Sequence, residues 1–345
     1  MWNLKEHTYH IFDSAIQQIL RIKYKKHIAK WKYVLYNKFA IKVKWKGIKM
    51  GLKLENVSKM FVGKQAVDNI SFEVDKPGVF GLLGTNGAGK TTTIRMLLGI
   101  ITKDTGEITW NGKQVARKTV NFGYLPEERG VYPKTKIYDQ LMYFAELKGM
   151  NKKDANEAIN KWAKVLKVDE YLDMPAEKLS KGNQENVQFM TAIIHNPELI
   201  VLDEPFSGLD PVNTEILKNV IIELVNQGKY IIMSSHQMAS IEEFCTDILI
   251  LNRGKTVLKE NLKEIKDTYK ANRLEIITDK NIDEYIKEFN MSIEFEKDNE
   301  YSIKIDSEEV AHKLLEKVVA NGVLINKFEI KKPTLNDIFI EKVGE

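Results

Sequence analysis

The sequence predicts an α/β protein with a core of alternating strands and helices, a helical subdomain within that core, and a small C-terminal α+β domain. Three observations support this prediction. A short apolar run at 79–83 leads through a glycine-rich loop into a helical pattern, which is the strand–loop–helix order of α/β cores. Two further apolar runs, 199–202 and 230–233, end in polar residues before the next helical pattern. After residue 271, short strands and helices alternate in a new order.

The first 49 residues are predicted to be a basic extension of the core. Residues 1–50 hold twelve Lys and Arg against two Asp and Glu, a net charge of +10; since the whole chain carries +4, residues 51–345 sum to −6. Apolar residues at helical spacing, followed by a run rich in Lys, Trp and Tyr, are typical of an interfacial helix on anionic lipid. The alternative is that Met50 is the true start or that the extension is dispensable, because a predicted strand follows Met50 at once.

The composition is that of an ordinary globular protein, with 43% hydrophobic and 29% charged residues. The single cysteine, Cys245, excludes an internal disulfide, fits a reducing compartment and is expected to be a packed core residue. No run approaches the ~18 consecutive apolar residues of a membrane span, so we expect another chain to supply any such span. The mildly acidic body argues against nucleic-acid binding.

The core is predicted to begin with strands at 52–57, 66–74 and 78–83. Phe61 follows the first strand, about two dozen residues before the glycine-rich loop. An aromatic ring at this place can stack on an adenine base. The alternative is a half-buried aromatic residue that merely ends a strand.

The glycine-rich loop matches the pattern G-x-x-x-x-G-K-[ST] and predicts a site for a nucleoside triphosphate. Glycines allow successive backbone N–H groups to point at phosphate oxygens, and the following helix adds its positive N-terminal end. Lys90 is expected to neutralise the β- and γ-phosphates, and the Thr91 hydroxyl to ligate Mg²⁺. The residues predicted to contact the nucleotide here are Gly84, Thr85, Asn86, Gly87, Ala88, Gly89, Lys90, Thr91 and Thr92. A glycine-rich turn that binds nothing is disfavoured because strand, loop, Lys-Thr and helix all agree.

A helical pattern runs from about residue 137 to 197 and contains one polar break. This break, Leu179-Ser180-Lys181-Gly182-Asn183, opens the next helix. The N–H groups around Ser180 and Gly182 are therefore expected to form a second anion site. Since the chain has one copy of each motif, the two anion sites are expected to meet only between two molecules.

Two core strands are predicted to end in residues that carry chemistry. Asp203 and Glu204 directly follow the apolar run 199–202, at the edge where α/β sheets bind ligands. Asp203 is suited to the Mg²⁺ shell and Glu204 to activating a water molecule. His236 follows the run 230–233 and two serines, and we expect it to contact phosphate rather than serve only as a structural histidine.

The chain after about residue 271 is predicted to read strand, helix, strand, strand, helix, strand. The predicted bounds are 273–278, 282–289, 292–296, 301–305, 307–321 and 324–331. This β-α-β-β-α-β order is the ferredoxin-like motif. We therefore predict a core domain over 51–260, with its helical subdomain at about 137–197, and an accessory α+β domain over 271–345.

These motifs, in this order and spacing, resemble those of the ATP-binding subunit of ABC transporters, a P-loop NTPase family. The segment 84–91 is similar to Walker A, 199–204 to Walker B with Glu204 as the catalytic carboxylate, and 179–183 to the family signature. Ser207-Gly208-Leu209-Asp210 is similar to the D-loop, and His236 to the switch histidine. The resemblance thus implies that Glu204, His236 and Lys90 are the catalytic residues. The end of the chain, 333–343, is similar to ATPases of bacterial exporters of the sodium/drug-efflux type.

The resemblance implies that two such subunits, identical or different, stack head to tail and hydrolyse ATP with Mg²⁺. Each ATP would lie between Walker A of one subunit and Ser180 and Gly182 of the other, with Asp210 close by. It also implies a cytoplasmic location on the inner face of the membrane, held by a separate permease. The alternatives are a soluble ATPase of this type acting on ribosomes or DNA, and a nucleotide-sensing regulator without turnover, which Glu204 disfavours.

The sequence departs from the family pattern in three places. Lys181-Gly182-Asn183 stands where Gly-Gly-Gln is usual, and Asn186 where an arginine is often found. Glu127, in Gly123-Tyr124-Leu125-Pro126-Glu127, replaces the glutamine that links Mg²⁺ to the permease. A carboxylate still offers a hard oxygen to Mg²⁺ but adds negative charge beside the phosphates. These departures bear on the rate of hydrolysis and remove no catalytic group.

Overall fold

The computed structural model describes residues 51–115, 120–128 and 130–344. The predicted basic extension, 1–49, lies outside the described residues. The strands are β1 (Leu52–Phe61), β2 (Lys64–Val74), β3 (Gly78–Leu83), β4 (Thr105–Trp110), β5 (Lys113–Gln114), β6 (Phe122–Leu125), β7 (Leu199–Asp203), β8 (Tyr230–Ser235), β9 (Cys245–Asn252), β10 (Lys255–Asn261), β11 (Arg273–Thr278), β12 (Ser292–Lys297), β13 (Glu300–Lys304) and β14 (Ile325–Lys331). The helices are α1 (Lys90–Leu97), α2 (Ile137–Leu147), α3 (Lys152–Val165), α4 (Lys181–Ile193), α5 (Pro211–Asn226), α6 (Met238–Glu242), α7 (Leu262–Thr268), α8 (Asp283–Glu288), α9 (Glu308–Ala320) and α10 (Leu335–Gly344).

A six-stranded sheet in the order β10-β9-β3-β8-β7-β6 forms the centre of the core. The strands β9, β3, β8, β7 and β6 run parallel, and β10 is an antiparallel edge. All five residues of β7 are buried, as expected for a parallel strand that is covered on both faces. The predicted α/β core is confirmed.

A second sheet, antiparallel and in the order β2-β1-β4-β5, packs with α1 on one face of the central sheet. The strand β1 continues to Phe61, beyond the predicted end at 57. Asn56 has a left-handed φ of 51°, and the pairing of β1 shifts register beside it. The irregularity interrupts the alternation of apolar residues, which is why the sequence pattern stops short of the true strand end.

The other face of the central sheet is covered by the helices α4 and α5, and α2 and α3 pack against α4. Leu217, Val220, Ile221 and Leu224 line the buried face of α5, as their spacing predicts. The hairpin of β9 and β10 was not among the predicted elements. It turns at Arg253 and Gly254, which both have positive φ, as a two-residue hairpin turn requires.

The C-terminal strands form a sheet of their own in the order β12-β13-β11-β14, with every neighbouring pair antiparallel. This is the strand order of the predicted ferredoxin-like motif, and α8 and α9 bury an apolar cluster against the sheet. The last helix, α10, belongs elsewhere. Its Leu335, Ile338 and Phe339 lie in the same apolar cluster as Ile241 of α6.

Cys245 is buried, and burial raises the pKa of its thiol, so the prediction of a packed cysteine is confirmed. Within the described residues, no helix is both long enough and apolar enough to cross a lipid bilayer.

Candidate active site

Four parallel strands of the central sheet end at one edge and bring most of the predicted site residues together. Leu83, the last residue of β3, is paired with Ser235 of β8, and Asp203 of β7 is paired with Ser234. Leu125 of β6 is paired with Leu202, so Glu127 follows at the same edge. Parallel alignment is what gathers the glycine loop, the two acids and the histidine.

The loop between β3 and α1 has the backbone that a phosphate-binding turn needs. Gly84, Gly87 and Gly89 have φ angles of 150°, 79° and 105°. A Cβ at Gly84 would lie 2.4 Å from the Leu251 carbonyl oxygen, and one at Gly89 would lie 2.6 Å from that of Ala66. Side chains are therefore excluded here for lack of space as well as for strain. Thr85, Asn86 and Gly87 are exposed, Ala88 is buried, and Thr91 and Thr92 are half-buried.

Lys90 lies inside this loop and is only 6% exposed. Its Nζ donates to the carbonyl oxygen of Gly84 at 2.8 Å and to that of Thr85 at 3.3 Å. The same ammonium lies 3.3 Å from Oε1 of Glu204. The loop thus holds a buried positive charge at the start of α1, where the helix dipole also favours anions.

Glu204 is 4% exposed and connects Lys90 to His236. Nδ1 of His236 lies 2.9 Å from Glu204 Oε2, and the backbone N–H of His236 donates to the same oxygen at 3.3 Å. Because a carboxylate only accepts, this contact assigns a proton to Nδ1 of His236. The structure brings together the three residues predicted to be catalytic.

Ser234 contacts both Asp203, the last residue of β7, and Glu204, which follows it. Its fully buried hydroxyl donates to Asp203 Oδ1 at 2.5 Å and accepts the backbone N–H of Glu204 at 2.9 Å. Glu204 has a left-handed φ of 51°, which is unfavourable for a residue with a side chain. The bond to Ser234 helps to hold this strained backbone and so aims the carboxylate.

Asp203 has one buried oxygen, Oδ2, without a hydrogen-bond partner. Burial raises the pKa of this carboxyl, the nearby charges of Glu127 and Glu204 raise it further, and the hydroxyls of Ser234 and Thr91 lower it. An oxygen that is desolvated and bare, beside a threonine hydroxyl, suits a divalent cation. The described residues contain no cluster of three or more His, Cys, Asp or Glu that could hold a metal alone. A Mg²⁺ bound here would take its remaining ligands from phosphate and water, as this ion usually does.

Phe61 ends β1 with 45% of its surface exposed, and Lys59 Nζ lies 5.5 Å from the centre of its ring. Phe61 is paired with Lys64 at the start of β2. Two residues further on, the Ala66 carbonyl oxygen is the atom that a Cβ on Gly89 would strike. The hairpin that carries Phe61 therefore reaches the phosphate loop, with the ring partly exposed. Its role in adenine stacking stays a prediction.

Ser180, Gly182 and Asp210 form a second group, at the starts of α4 and α5. Ser180 caps α4 by accepting the backbone N–H of Asn183, and Asp210 caps α5 by accepting that of Asn213. The bonds from Asn213 lower the pKa of the Asp210 carboxyl. Gly182 and Asp210 lie against each other, since a Cβ on Gly182 would be 3.0 Å from Asp210 Oδ2.

Two residues of these groups were missed from the sequence. Ser234 was noted only as a hydroxyl beside His236, although the parallel pairing of β7 and β8 would have placed it next to Asp203. Asn213 gave one local signal, its position three residues after Asp210 at the start of a helix.

Comparison with protein families gives two matches along the chain. Residues 67–207 match the family described as ABC transporter. Residues 261–343 match the family described as ATP-binding protein DrrA1-3-like, C-terminal domain.

The chain is 42% identical over 295 residues to the uncharacterized ABC transporter ATP-binding protein YhaQ of Bacillus subtilis (strain 168), covering 85% of this chain and 98% of YhaQ. It is 28% identical over 305 residues to the linearmycin resistance ATP-binding protein LnrL of the same organism, covering 85% of this chain and 98% of LnrL. A solved structure of the ATP-binding subunit of an ABC transporter superimposes with a TM-score of 0.59 at 27% identity, covering 64% of this chain and 93% of that one. The chain therefore belongs to the nucleotide-binding ATPase subunits of ABC transporters, a family that hydrolyses ATP to drive transport.

Proposed function

We propose that two copies of this chain, or this chain and a related subunit, close head to tail on two ATP molecules and power an exporter in the membrane. The observation that carries the proposal is the division of the site residues into two groups. Lys90, Glu204 and His236 form one group at the edge of the sheet. Ser180 and Gly182 form the other, at the start of a separate helix. Each group suits one side of a triphosphate.

The first group has the residues for hydrolysis. Glu204 accepts a proton from the attacking water while the oxygen of that water bonds to the γ-phosphorus. The bond between the γ-phosphorus and the β–γ bridging oxygen breaks, and its electron pair leaves with ADP. Lys90 balances the charge of the phosphates, and His236 keeps Glu204 in place through Nδ1. Burial of Glu204 strengthens each of these electrostatic contacts.

Thr91 and Asp203 would hold Mg²⁺, with Glu127 at the rim of the site. The ion, when bound, supplies charge neutralisation on the β- and γ-phosphates. Support comes from the bare Oδ2 of Asp203 and from the influence of Thr91 and Glu127 on the pKa of this carboxyl.

The second group supplies the other side of the nucleotide, from the partner subunit. Ser180 is exposed, and the first N–H groups of α4 follow it. A helix start in solvent is ready to meet a phosphate held by another molecule.

A permease partner is supported by an apolar surface on the helical subdomain. Tyr132, Tyr143 and Leu147 are 55%, 53% and 63% exposed, and the rings of Tyr132 and Tyr143 both contact Phe144. Large apolar side chains grouped in solvent are typical of a protein interface. Tyr132 lies on the segment that leads from Glu127 to α2, so docking here would affect the position of Glu127 beside the nucleotide.

Export is the favoured direction because LnrL, which matches this chain over nearly its whole length, is described as a resistance protein. Efflux of a toxic compound is one way to produce resistance. Docking on a permease would hold the chain at the cytoplasmic face of the membrane, where ATP is available.

The shared site is tested by mixing two inactive variants, Lys90→Ala and Ser180→Arg. In a mixed dimer one composite site contains both defects and the other contains none, so ATPase activity should return to a part of the wild-type value. The wild type should also lose specific activity on dilution. Phosphate release measures the activity, and light scattering on the same samples measures the oligomeric state.

A wild type that is monomeric during turnover, with activity independent of dilution, contradicts the shared site. If the mixture stays inactive while both variants dimerise, the two sites are either obligatorily coupled or not shared. The dilution series then distinguishes these two explanations.

A further inference from the structure

Three polar side chains join the starts of α4 and α5. Asn186, 1% exposed, donates from Nδ2 to Oδ1 of Asn213 at 2.7 Å and to the carbonyl oxygen of Leu166 at 3.3 Å. Asn213 donates from its own Nδ2 to Asp210 Oδ2 at 2.6 Å, and its backbone N–H donates to Asp210 Oδ1 at 2.9 Å. Asn213 is the shared member of both contacts.

The acceptors at the two ends of this hydrogen-bond network, Asp210 and the Leu166 carbonyl, determine how the amides of Asn213 and Asn186 are oriented. Asp210 is a carboxylate and can only accept, so Asn213 must turn its amide nitrogen toward it. Oδ1 of Asn213 then faces α4 and needs a donor, which is Nδ2 of Asn186. The Leu166 carbonyl requires the same nitrogen. Both amide orientations follow from these fixed groups.

Glycine backbones in each segment also lie against side chains of the other. A Cβ on Gly182 would lie 2.2 Å from Asn213 Nδ2, so a glycine is required at 182 by a neighbour in the same chain. Gly208, with a φ of 77°, faces Lys181, since a Cβ there would lie 3.2 Å from Lys181 Nζ. The segment 208–213 is contacted by Lys181, Gly182 and Asn186. Two of the departures from the family pattern, at 181–183 and at 186, therefore lie at this contact.

We infer that Asn213 is a positioning residue, which locks Ser180, Gly182 and Asp210 into one preformed surface for the nucleotide held by the partner subunit. The inference rests on the proposed shared site. It also accounts for Asn186, because an asparagine is short enough to bond both Asn213 and the Leu166 carbonyl inside the protein.

The sharpest test places Asn213→Ala in one chain or the other of the mixed dimer. The intact composite site takes Ser180 and Gly182 from the Lys90→Ala chain. Asn213→Ala in that chain should lower the restored activity about tenfold, through loss of bonds that involve a charged group. The same substitution in the Ser180→Arg chain, whose second surface is already disabled, should change the activity less than about twofold.

Homodimers provide a second measurement with a matched control. Asn213→Ala should lower kcat about tenfold while the Kd of the isolated subunit for a fluorescent ADP analogue stays the same, because the phosphate loop is untouched. Asn213→Asp should lower kcat further, since it puts a second carboxylate against Asp210. Asn219→Ala is the control, because Asn219 lies on the same helix, is exposed, and donates from Nδ2 to the carbonyl oxygen of Glu215 one turn earlier.

Equal losses from both placements in the mixed dimer mean that Asn213 stabilises each subunit and positions nothing for the partner, which overturns the inference. So does a normal kcat for the Asn213→Ala homodimer with only a lower melting temperature. A wild type that works as a monomer contradicts the shared site itself, and the inference with it. A dilution-dependent wild type with unaffected Asn213 variants contradicts the inference alone.

Discussion

The two groups of site residues are built in opposite ways. The first lies where the central strands end, and its charges are buried: Asp203 is fully buried, Glu204 is 4% exposed, and Lys90, at the start of α1 after the loop from β3, is 6% exposed. Of this group, His236 is exposed. The second lies on helix starts in solvent, where Ser180 and Asp210 are both exposed. The first group is held by hydrogen bonds within one chain, from Ser234 to Asp203, from Glu204 to Ser234 and from His236 to Glu204. The second group is held together by bonds within the chain, and the side that the proposed dimer would use is exposed.

In the proposed head-to-tail dimer, this difference would divide the work between one molecule and two. Charges that must be desolvated for chemistry are assembled inside a single sheet, where strand pairing fixes their positions. Groups that, in the proposed dimer, would bind and release a partner with each ATP lie on the surface. We expect substitutions in the first group to change the chemical step, and substitutions in the second to change assembly of the complete site.

The largest effect is expected from Glu204→Gln, which tests whether the buried group carries the chemistry. The variant should still bind ATP and should accumulate as an ATP-bound dimer, while turnover falls roughly a hundredfold or more because the amide accepts no proton from water. Phosphate release under saturating ATP measures the change. Near-normal turnover would remove Glu204 from the mechanism.

The next effect concerns how the helix α4 is anchored to the sheet. Past the end of α4, the buried His195 lies with Nε2 2.9 Å from the Phe122 carbonyl oxygen. Burial lowers the pKa of His195 to about 4, and the ammonium of Lys148 lowers it too. In the unfolded chain His195 takes up a proton near pH 6.5, and in the folded chain it does so only near pH 4. The contribution of the neutral His195 to the free energy of unfolding is therefore complete above pH 6.5 and is lost as the pH falls from 6.5 to 4.

Between pH 7 and pH 5 this histidine should lower the free energy of unfolding by about 2 kcal/mol. Urea unfolding at both pH values measures the loss. His195→Gln retains a donor for the Phe122 carbonyl but does not titrate, so its stability should fall less over this range. Equal pH dependence in both proteins would assign the acid sensitivity to other groups.

A smaller effect is expected from Ser234→Ala, which leaves Asp203 and the Glu204 backbone without a shared partner. We expect kcat to fall roughly tenfold, consistent with loss of a hydrogen bond to a charged group, and Ser234→Thr to recover most of it. Ser71→Ala is the matched control, because Ser71 likewise accepts a backbone N–H, from Asn56, and donates to a side-chain oxygen. The comparison contradicts a positioning role if both alanine variants lose activity equally.

The smallest effect is expected at the edge of the buried group, from Phe61→Ala. Loss of stacking on adenine should raise the KM for ATP about fivefold and leave kcat nearly unchanged. Met60→Ala removes an exposed apolar side chain from the same strand and should leave KM as it is. An unchanged KM in Phe61→Ala would favour the alternative, an aromatic residue that only ends a strand.

Features that depend on neighbours in the chain could be predicted from the sequence. The turn of the phosphate loop follows from Gly84, Gly87 and Gly89, because only glycine takes those φ angles without strain. Apolar runs that end in Asp203 or His236 indicate the ligand edge of a parallel sheet, since such strands read as continuous apolar segments. The β-α-β-β-α-β order of the C-terminal part could likewise be predicted from alternating periodicities.

Contacts between residues far apart in the chain came from the packing of strands and helices. The hydroxyl of Ser234 meets Asp203 across 31 residues, and Asn186 meets Asn213 across 27. Leu335 donates its backbone N–H to Glu242 across 93 residues, which brings the last helix onto the core. No local pattern contains these contacts, because they depend on strand register and on which helix faces which. Local sequence thus specifies which chemical groups this protein has, and its packing specifies which of them hold the others in position.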